Sequence, residues 1–312
     1  MSKIPLVFFG TQHFAAQILQ GLLDSEQFEI SLVITQPDQP SGRHQILAAP
    51  PTKLLAQKYN IAVAQPETLK NFSFPEIPDQ QSKNQITICA QYGKLIPPAI
   101  LEAFPLGILN VHTSLLPKYR GASPIQSSIL AGETETGVTI MKMAAGLDTG
   151  PILAQTQVEI APDDLFTEVE NKLIGAAIPL LIESTQKYLA GEITPSEQNE
   201  NQMTACRELT KDDGKVNWNQ TAEQIYNQYR ALCVWPGIWT KWNEKRLKLI
   251  DLKPADKKIP AGQVKIEEGR IFIGTSNGAL EILSLQLEGK NTLTAADWLR
   301  GNAKIDGANL LG

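Results

Sequence analysis

Apolar runs at residues 6–9, 31–35 and 86–90, and a further strand-like segment over 107–112, recur along the first part of the chain, with helical spacing in the intervals between them. This alternation constrains the fold more than any other feature. Two parallel strands can be joined only by a crossover connection, usually a helix. In the first interval Phe14, Ile18, Leu22 and Leu23 fall on one helical face. Residues 6–9 are apolar at every position rather than at alternate ones, which suits a strand covered on both sides. The fold class read from this pattern is α/β: a mostly parallel sheet with helices on both faces. Residues 138–143 and 152–160 are parted only by a glycine-rich turn, so they are expected to pair antiparallel at one edge. Apolar periodicity predicts a long helix over 167–189.

The pattern then changes. Residues 190–206 are polar, hold few large apolar side chains and read as a linker. Beyond them a helix is expected over 222–233, stopped by Trp235-Pro236-Gly237. Short strands are expected at 238–242, 246–252, 262–266, 270–274 and 279–285, separated by turn residues. That succession suggests a small C-terminal β-barrel, OB-like. The expected organisation is therefore residues 1–189, a linker over 190–206, and a barrel over 207–312. A chain of 312 residues is long enough for two cores.

Composition narrows the class. Cys89, Cys206 and Cys233 are odd in number, far apart and free of any Cys-x-x-Cys spacing. Neither a disulfide framework nor a zinc site is expected, and the expected setting is cytoplasmic. The apolar run at the N-terminus is too short for a secretory leader and reads as a first strand. No apolar run reaches the roughly 18 residues of a membrane span. Charge is unevenly spread: residues 1–206 carry 12 Lys and Arg against 20 Asp and Glu, whereas 207–312 carry 16 against 13. Between Lys241 and Arg270 there are nine basic residues against five acidic ones. The second half therefore suits an anionic partner better than the first.

The chemistry converges on residues 110–148. In a strand, positions i and i+2 share a face with Cα atoms about 6.5–7 Å apart, so Asn110 and His112 project together. The chain has three histidines, His13, His44 and His112. A metal centre needs more donors than the 108–126 stretch offers. Proton transfer needs one imidazole and a carboxylate to orient it. Asp148 lies in the turn Gly146-Leu147-Asp148-Thr149-Gly150 and is expected at the sheet rim beside the 107–112 strand. A packed histidine at a strand end and a turn-forming aspartate remain open as plain structural readings. Taken together, the three describe acyl transfer with no side-chain nucleophile. Asn110 donates to an oxyanion, His112 moves a proton and Asp148 holds the imidazole.

Four segments carry a resemblance. They are Asn110-Val111-His112-x-Ser114-Leu115-Leu116-Pro117, Arg120-Gly121-Ala122-x-Pro124-Ile125-Gln126, Glu135-Thr136-Gly137-Val138-Thr139-Ile140-Met141 and Gly146-Leu147-Asp148-Thr149-Gly150. With Phe9-Gly10-Thr11, Thr35-Gln36-Pro37-Asp38, Gly42-Arg43 and Tyr92-Gly93, the chain resembles the folate-dependent formyltransferases over essentially its whole length. The resemblance implies a Rossmann-like catalytic domain over 1–189 and a tRNA-binding barrel over 207–312. It implies 10-formyltetrahydrofolate as donor, initiator methionyl-tRNA as acceptor and partner, and no metal. It implies Asn110, His112 and Asp148 as the catalytic residues, Ser114, Leu115, Leu116 and Pro117 as the folate-contacting stretch, and Arg43 as a tRNA contact. A monomer is the expected state, with no membrane partner.

The chain departs from the family pattern in four places. Gln12-His13 stands where the family commonly has a proline after Gly-Thr. His44-Gln45-Ile46-Leu47 replaces the lysines that usually follow Gly-Arg, Ala144 replaces an acidic residue, and Pro151 replaces an aspartate. Two other readings remain. One is the same transfer onto a sugar-nucleotide amine. The other is a non-catalytic folate-binding module, against which the retention of Asn110, His112 and Asp148 argues. A dinucleotide-dependent dehydrogenase is disfavoured, because Gly10-Thr11-Gln12-His13-Phe14-Ala15 lacks the glycines that a pyrophosphate turn needs.

Overall fold

The structure is a computed structural model that describes residues 3–41, 46–70, 72 and 85–311. It comprises two compact units. Met1–Pro124, Glu135–Glu159 and Glu170–Cys206 form the first, and Ile125–Thr134, Ile160–Val169 and Arg207–Gly312 the second. Through residue 206 the elements run β1 (Ile4–Gly10), α1 (His13–Asp24), β2 (Phe28–Ile34), β3 (Gln39–Ser41), β4 (Ile46–Ala48), α2 (Pro51–Lys58), β5 (Ala62–Ala64) and β6 (Ile86–Ala90). They continue with α3 (Pro98–Glu102), β7 (Ile108–His112), β8 (Arg120–Gly121), α4 (Pro124–Leu130), β9 (Glu135–Lys142), β10 (Ile152–Glu159), α5 (Phe166–Leu189) and β11 (Ala205–Cys206).

Seven of these strands make one sheet in the order β10-β9-β7-β6-β1-β2-β5. β1, β2, β5, β6 and β7 are mutually parallel. β9 runs antiparallel to both β7 and β10, the edge pairing expected from the short turn. β1 shows why its run is continuously apolar. Val7 and Phe9 face a cluster that includes Leu32, Cys89, Tyr92, Ile100, Phe104 and Ile108. Phe8 faces the other side, where it crowds Gly10 together with Ala15 of α1. Gly21 of α1 in turn lies against Ile178 of α5. Burying each such aromatic or aliphatic side chain contributes about 1.5–3 kcal/mol. Beyond the strand ends, Thr11 Oγ1 and Gln36 Nε2 both donate to the Tyr92 carbonyl at 2.8 Å. The loops after β1, β2 and β6 are thus tied where the strand order reverses.

The polar stretch 190–206, read from composition as a linker, is built into the first unit. β11 pairs in parallel with β8, Ala205 opposite Arg120 and Cys206 opposite Gly121. Its hydrogen bonds go to residues some 80 positions earlier, which a composition argument does not reveal.

The second unit adds α6 (Ala222–Leu232), β12 (Ile238–Trp242), β13 (Lys245–Ala255), β14 (Val264–Glu267), β15 (Arg270–Gly274), β16 (Ala279–Leu287), β17 (Leu293–Thr294) and α7 (Ala295–Asn302). α6 opens with a capping box in which Thr221 accepts from Gln224 N and the Gln224 side chain returns to Thr221 N. The antiparallel sheet runs β12-β13-β16-β15-β14, with β17 on β16. Irregular register between Leu249 and Leu252 bends the long β13. The last residues cover the β14 edge: Val264 N donates to Ala308 O, and Leu310 N to Gly262 O. Thr240 of β12 reaches the Leu310 carbonyl at 3.5 Å, so one segment bridges both edges and the sheet curls toward a barrel. Part of its basic charge is paired internally. Arg270 and Lys253 pair with Glu281, and Lys257 and Lys265 with Glu267. Two lysines beside Glu267 bring its carboxyl down to about 2. Lys241, Lys245 and Lys258 remain exposed, and the Arg246 guanidinium stacks 4.0 Å from the Trp239 ring centroid. Among the described residues no helix is long and apolar enough to cross a membrane.

Candidate active site

β7 lies between β6 and β9, so its backbone is fixed on both sides. Asn110 stands opposite Cys89 on one side and Met141 on the other, and His112 opposite Thr139. Asn110 and His112 share the face that carries Cys89 and Ile108, and both are buried, at 9% and 6% exposure. Burial pushes the Cys89 thiol up to about 12, with the Asp148 charge adding to the effect. Cys89 therefore stays a neutral thiol rather than a nucleophile.

His112 is held from both sides. Nε2 lies 3.0 Å from the Tyr119 carbonyl oxygen, which can only accept, so this nitrogen carries a hydrogen. Nδ1 faces Asp148 Oδ2 at 3.7 Å. The structure thus brings Asp148 together with His112, the last residue of β7. Met143 N donates to Ile108 O, so the β9–β10 connection leaves the sheet beside the start of β7. It folds back across the sheet face to reach His112. Because β9 runs antiparallel to β7, the turn begins beside the start of β7, and its Asp148 carboxylate reaches the other end of that strand. Asp148 adopts φ 51, and its Oδ2 accepts from Gly121 N at 2.9 Å. Gly150 closes the turn so tightly that a Cβ there would stand 1.8 Å from the Lys142 carbonyl oxygen. The Asn110 amide has no hydrogen-bond partner among the described residues.

The stretch after His112 is pinned by Thr139. Its Oγ1 donates to Ser114 O at 2.6 Å and accepts from Leu116 N at 3.1 Å and Gln155 Nε2 at 2.8 Å. Ser114 Oγ donates to Lys118 O at 2.6 Å, and Ser114 and Leu116 are buried. Of the four residues expected to contact folate, only Leu115 and Pro117 are partly exposed. Thr139→Val keeps the shape and removes the hydroxyl, leaving the buried Leu116 N–H without its acceptor. The expected loss of unfolding free energy is about 1–3 kcal/mol, measured by denaturant titration. Arg43, expected at the tRNA, lies outside the described residues.

Two residues with no assignment from sequence prove structurally connected. Buried Arg120 donates from Nε and Nη2 to Gln198 Oε1 and forms a two-pronged pair with Glu200. That pairing holds the Glu200 carboxyl below its ordinary range. Gln198 Nε2 continues to the carbonyls of Asp148 and Gly150. No local pattern marks Gln198; only the Arg120-Gly121 motif hinted that this region mattered. Among the described residues no three His, Cys, Asp or Glu side chains gather as a metal site requires.

Residues 2–185 match the Formyl transferase family, and residues 208–303 its C-terminal domain. A methionyl-tRNA formyltransferase from Caldicellulosiruptor saccharolyticus is 41% identical over 302 residues, covering 95% of this chain and 96% of that protein. The chain belongs to the methionyl-tRNA formyltransferase family. Among solved structures, this formyltransferase chain is similar in fold to WlaRD, a sugar 3N-formyltransferase, with a TM-score of 0.65 at 20% identity, covering 93% of this chain and 100% of that one. It is also similar in fold to HypX from Aquifex aeolicus, with a TM-score of 0.63 at 18% identity. That match covers 96% of this formyltransferase chain and 47% of HypX, so the chain spans about half of HypX's length.

Proposed function

We propose that this chain transfers a formyl group from 10-formyltetrahydrofolate to the α-amino group of initiator methionyl-tRNA. The observation that carries the reading is the near full-length, 41% identity to a methionyl-tRNA formyltransferase. WlaRD was solved in the presence of 5-N-formyl-THF and HypX in complex with tetrahydrofolic acid, which supports a folate donor.

In this mechanism the amine attacks the formyl carbon, the new C–N bond forms, and the bond from that carbon to N10 of the folate breaks. The buried Asn110 amide supplies an N–H to the carbonyl oxygen as negative charge grows on it. The amine proton is taken at His112 Nδ1, because Nε2 already donates to Tyr119 O. Asp148, 3.7 Å away, stabilises the positive charge that the ring then carries. The same proton passes to N10 as tetrahydrofolate leaves. The 114–117 stretch borders the folate through Leu115 and Pro117. Arg43 and the second unit hold the tRNA by phosphate contacts, which supply much nucleic-acid affinity.

A sugar-nucleotide amine is the second reading, and WlaRD at 20% identity favours it only through fold. Incubation with 10-formyltetrahydrofolate and initiator methionyl-tRNA is expected to yield tetrahydrofolate and formylmethionyl-tRNA in equal amounts. No tetrahydrofolate above the rate without tRNA would overturn the proposal.

A further inference from the structure

The catalytic reading leaves Gln198 without a role, yet it is 9% exposed and uses both ends of its amide. Nε2 donates to Asp148 O at 2.8 Å and Gly150 O at 2.7 Å. Oε1 accepts from Arg120 Nε at 3.0 Å and Nη2 at 2.7 Å. The orientation of the amide is fixed, since carbonyls only accept and a guanidinium only donates. Asp148 sits at φ 51, a conformation that surrounding contacts must hold for any residue but glycine. The two Gln198 bonds grip the backbone on both sides of Thr149. Arg120 in turn belongs to the 119–121 stretch, whose Tyr119 carbonyl meets His112 and whose Gly121 N–H meets the Asp148 carboxylate. The carboxylate and its own backbone are therefore anchored to one three-residue segment, the carboxylate directly and the backbone through Gln198.

We propose that Gln198 is a positioning residue, which with Arg120 sets the Asp148 carboxylate against His112. The inference rests on the assignment of Asp148 to the formyl-transfer reaction. Gln198→Met preserves volume and removes all four hydrogen bonds. Gln198→Glu keeps the acceptor for Arg120 and turns an oxygen toward two carbonyls. Both act on the geometry of the 146–150 turn rather than on a reacting atom.

Two measurements on the full chain test it. The first is amide hydrogen exchange at Gly121, whose N–H reports the Asp148 contact without any need for turnover. Exchange there is expected to rise in Gln198→Met and Gln198→Glu, as in Asp148→Ala, which removes the acceptor, while the β1 amides keep their wild-type protection. Unchanged exchange at Gly121, or equal loss of protection in β1, would overturn the inference. The second is a double-mutant cycle on kcat. Gln198→Met is expected to cost about 10–100-fold in the wild-type background, as small misplacements at a reacting centre do. In the Asp148→Asn background it is expected to cost less than about threefold, because the two act as a unit. The same loss in both backgrounds, or wild-type kcat in Gln198→Met, would contradict the proposal. A wild-type chain inactive with methionyl-tRNA would defeat the functional reading, and the exchange result would still decide the positioning role.

Discussion

Replacing His112 with alanine is expected to lower kcat for formyl transfer by about 10²–10⁴-fold, the usual contribution of a positioned proton-transfer group. Folate binding is expected to persist, because the 114–117 stretch, proposed to border the folate, is held independently through Thr139 and Gln155. The effect should be large because nothing nearby can replace the imidazole. Cys89 stays a thiol, since burial pushes it up to about 12. The Asp148 carboxylate is already committed to the Gly121 N–H. The fold should tolerate the change. The ring makes one hydrogen bond, to Tyr119 O, and that carbonyl keeps the Cys206 thiol as a donor at 3.4 Å. Turnover with saturating methionyl-tRNA and equilibrium binding of a folate are the two readouts. Wild-type turnover would remove His112 from the mechanism, and loss of both would point to a folding defect instead.

Gly121→Ala is expected to damage stability and activity together. Gly121 has φ 127, where a side chain is rarely tolerated, and a Cβ there would stand 1.9 Å from the Cys206 carbonyl oxygen. That oxygen accepts from Ala122 N and belongs to the β8–β11 pairing, so it cannot retreat alone. Backbone strain of this kind costs about 1–3 kcal/mol before any displacement of β11. For a domain of this size that is a fall of several degrees in the unfolding midpoint, at roughly 2–4 °C per kcal/mol. Displacing β11 also shifts the Gly121 N–H from Asp148 Oδ2, so kcat should fall even in protein that remains folded. Thermal unfolding with kcat on the folded fraction checks both, and a wild-type midpoint would show that the close approach is relieved without cost.

The parts of this fold that were legible in sequence are those set by local pattern. Runs of apolar residues marked β1 and β6, because each is buried on both faces. The i, i+2 rule put Asn110 and His112 on one face of β7. The short Gly-rich turn marked β9 and β10 as an antiparallel pair. What depends on distant partners was not legible. β8 and β11 are two residues long and exist only through each other. Gln198 reaches Arg120 across 78 positions and Asp148 across 50. Polarity, which made 190–206 read as a linker, is the same property that lets Gln198 and Glu200 bind Arg120. The approach of Asp148 to His112 could not be read from a spacing of 36 residues, because it depends on the β9–β10 connection folding back over the sheet. Of the nine basic residues between Lys241 and Arg270, Lys253 and Arg270 share Glu281 and Lys257 and Lys265 share Glu267, pairings that the sequence count did not show.

The central claim is the identity of the acceptor, and a direct comparison of acceptors tests it. With 10-formyltetrahydrofolate as donor, kcat/KM is measured for charged initiator methionyl-tRNA and for an amino-sugar nucleotide. The expected result is efficient formylation of the tRNA and none of the sugar. Formylation of the sugar nucleotide with no product on the tRNA would contradict the account.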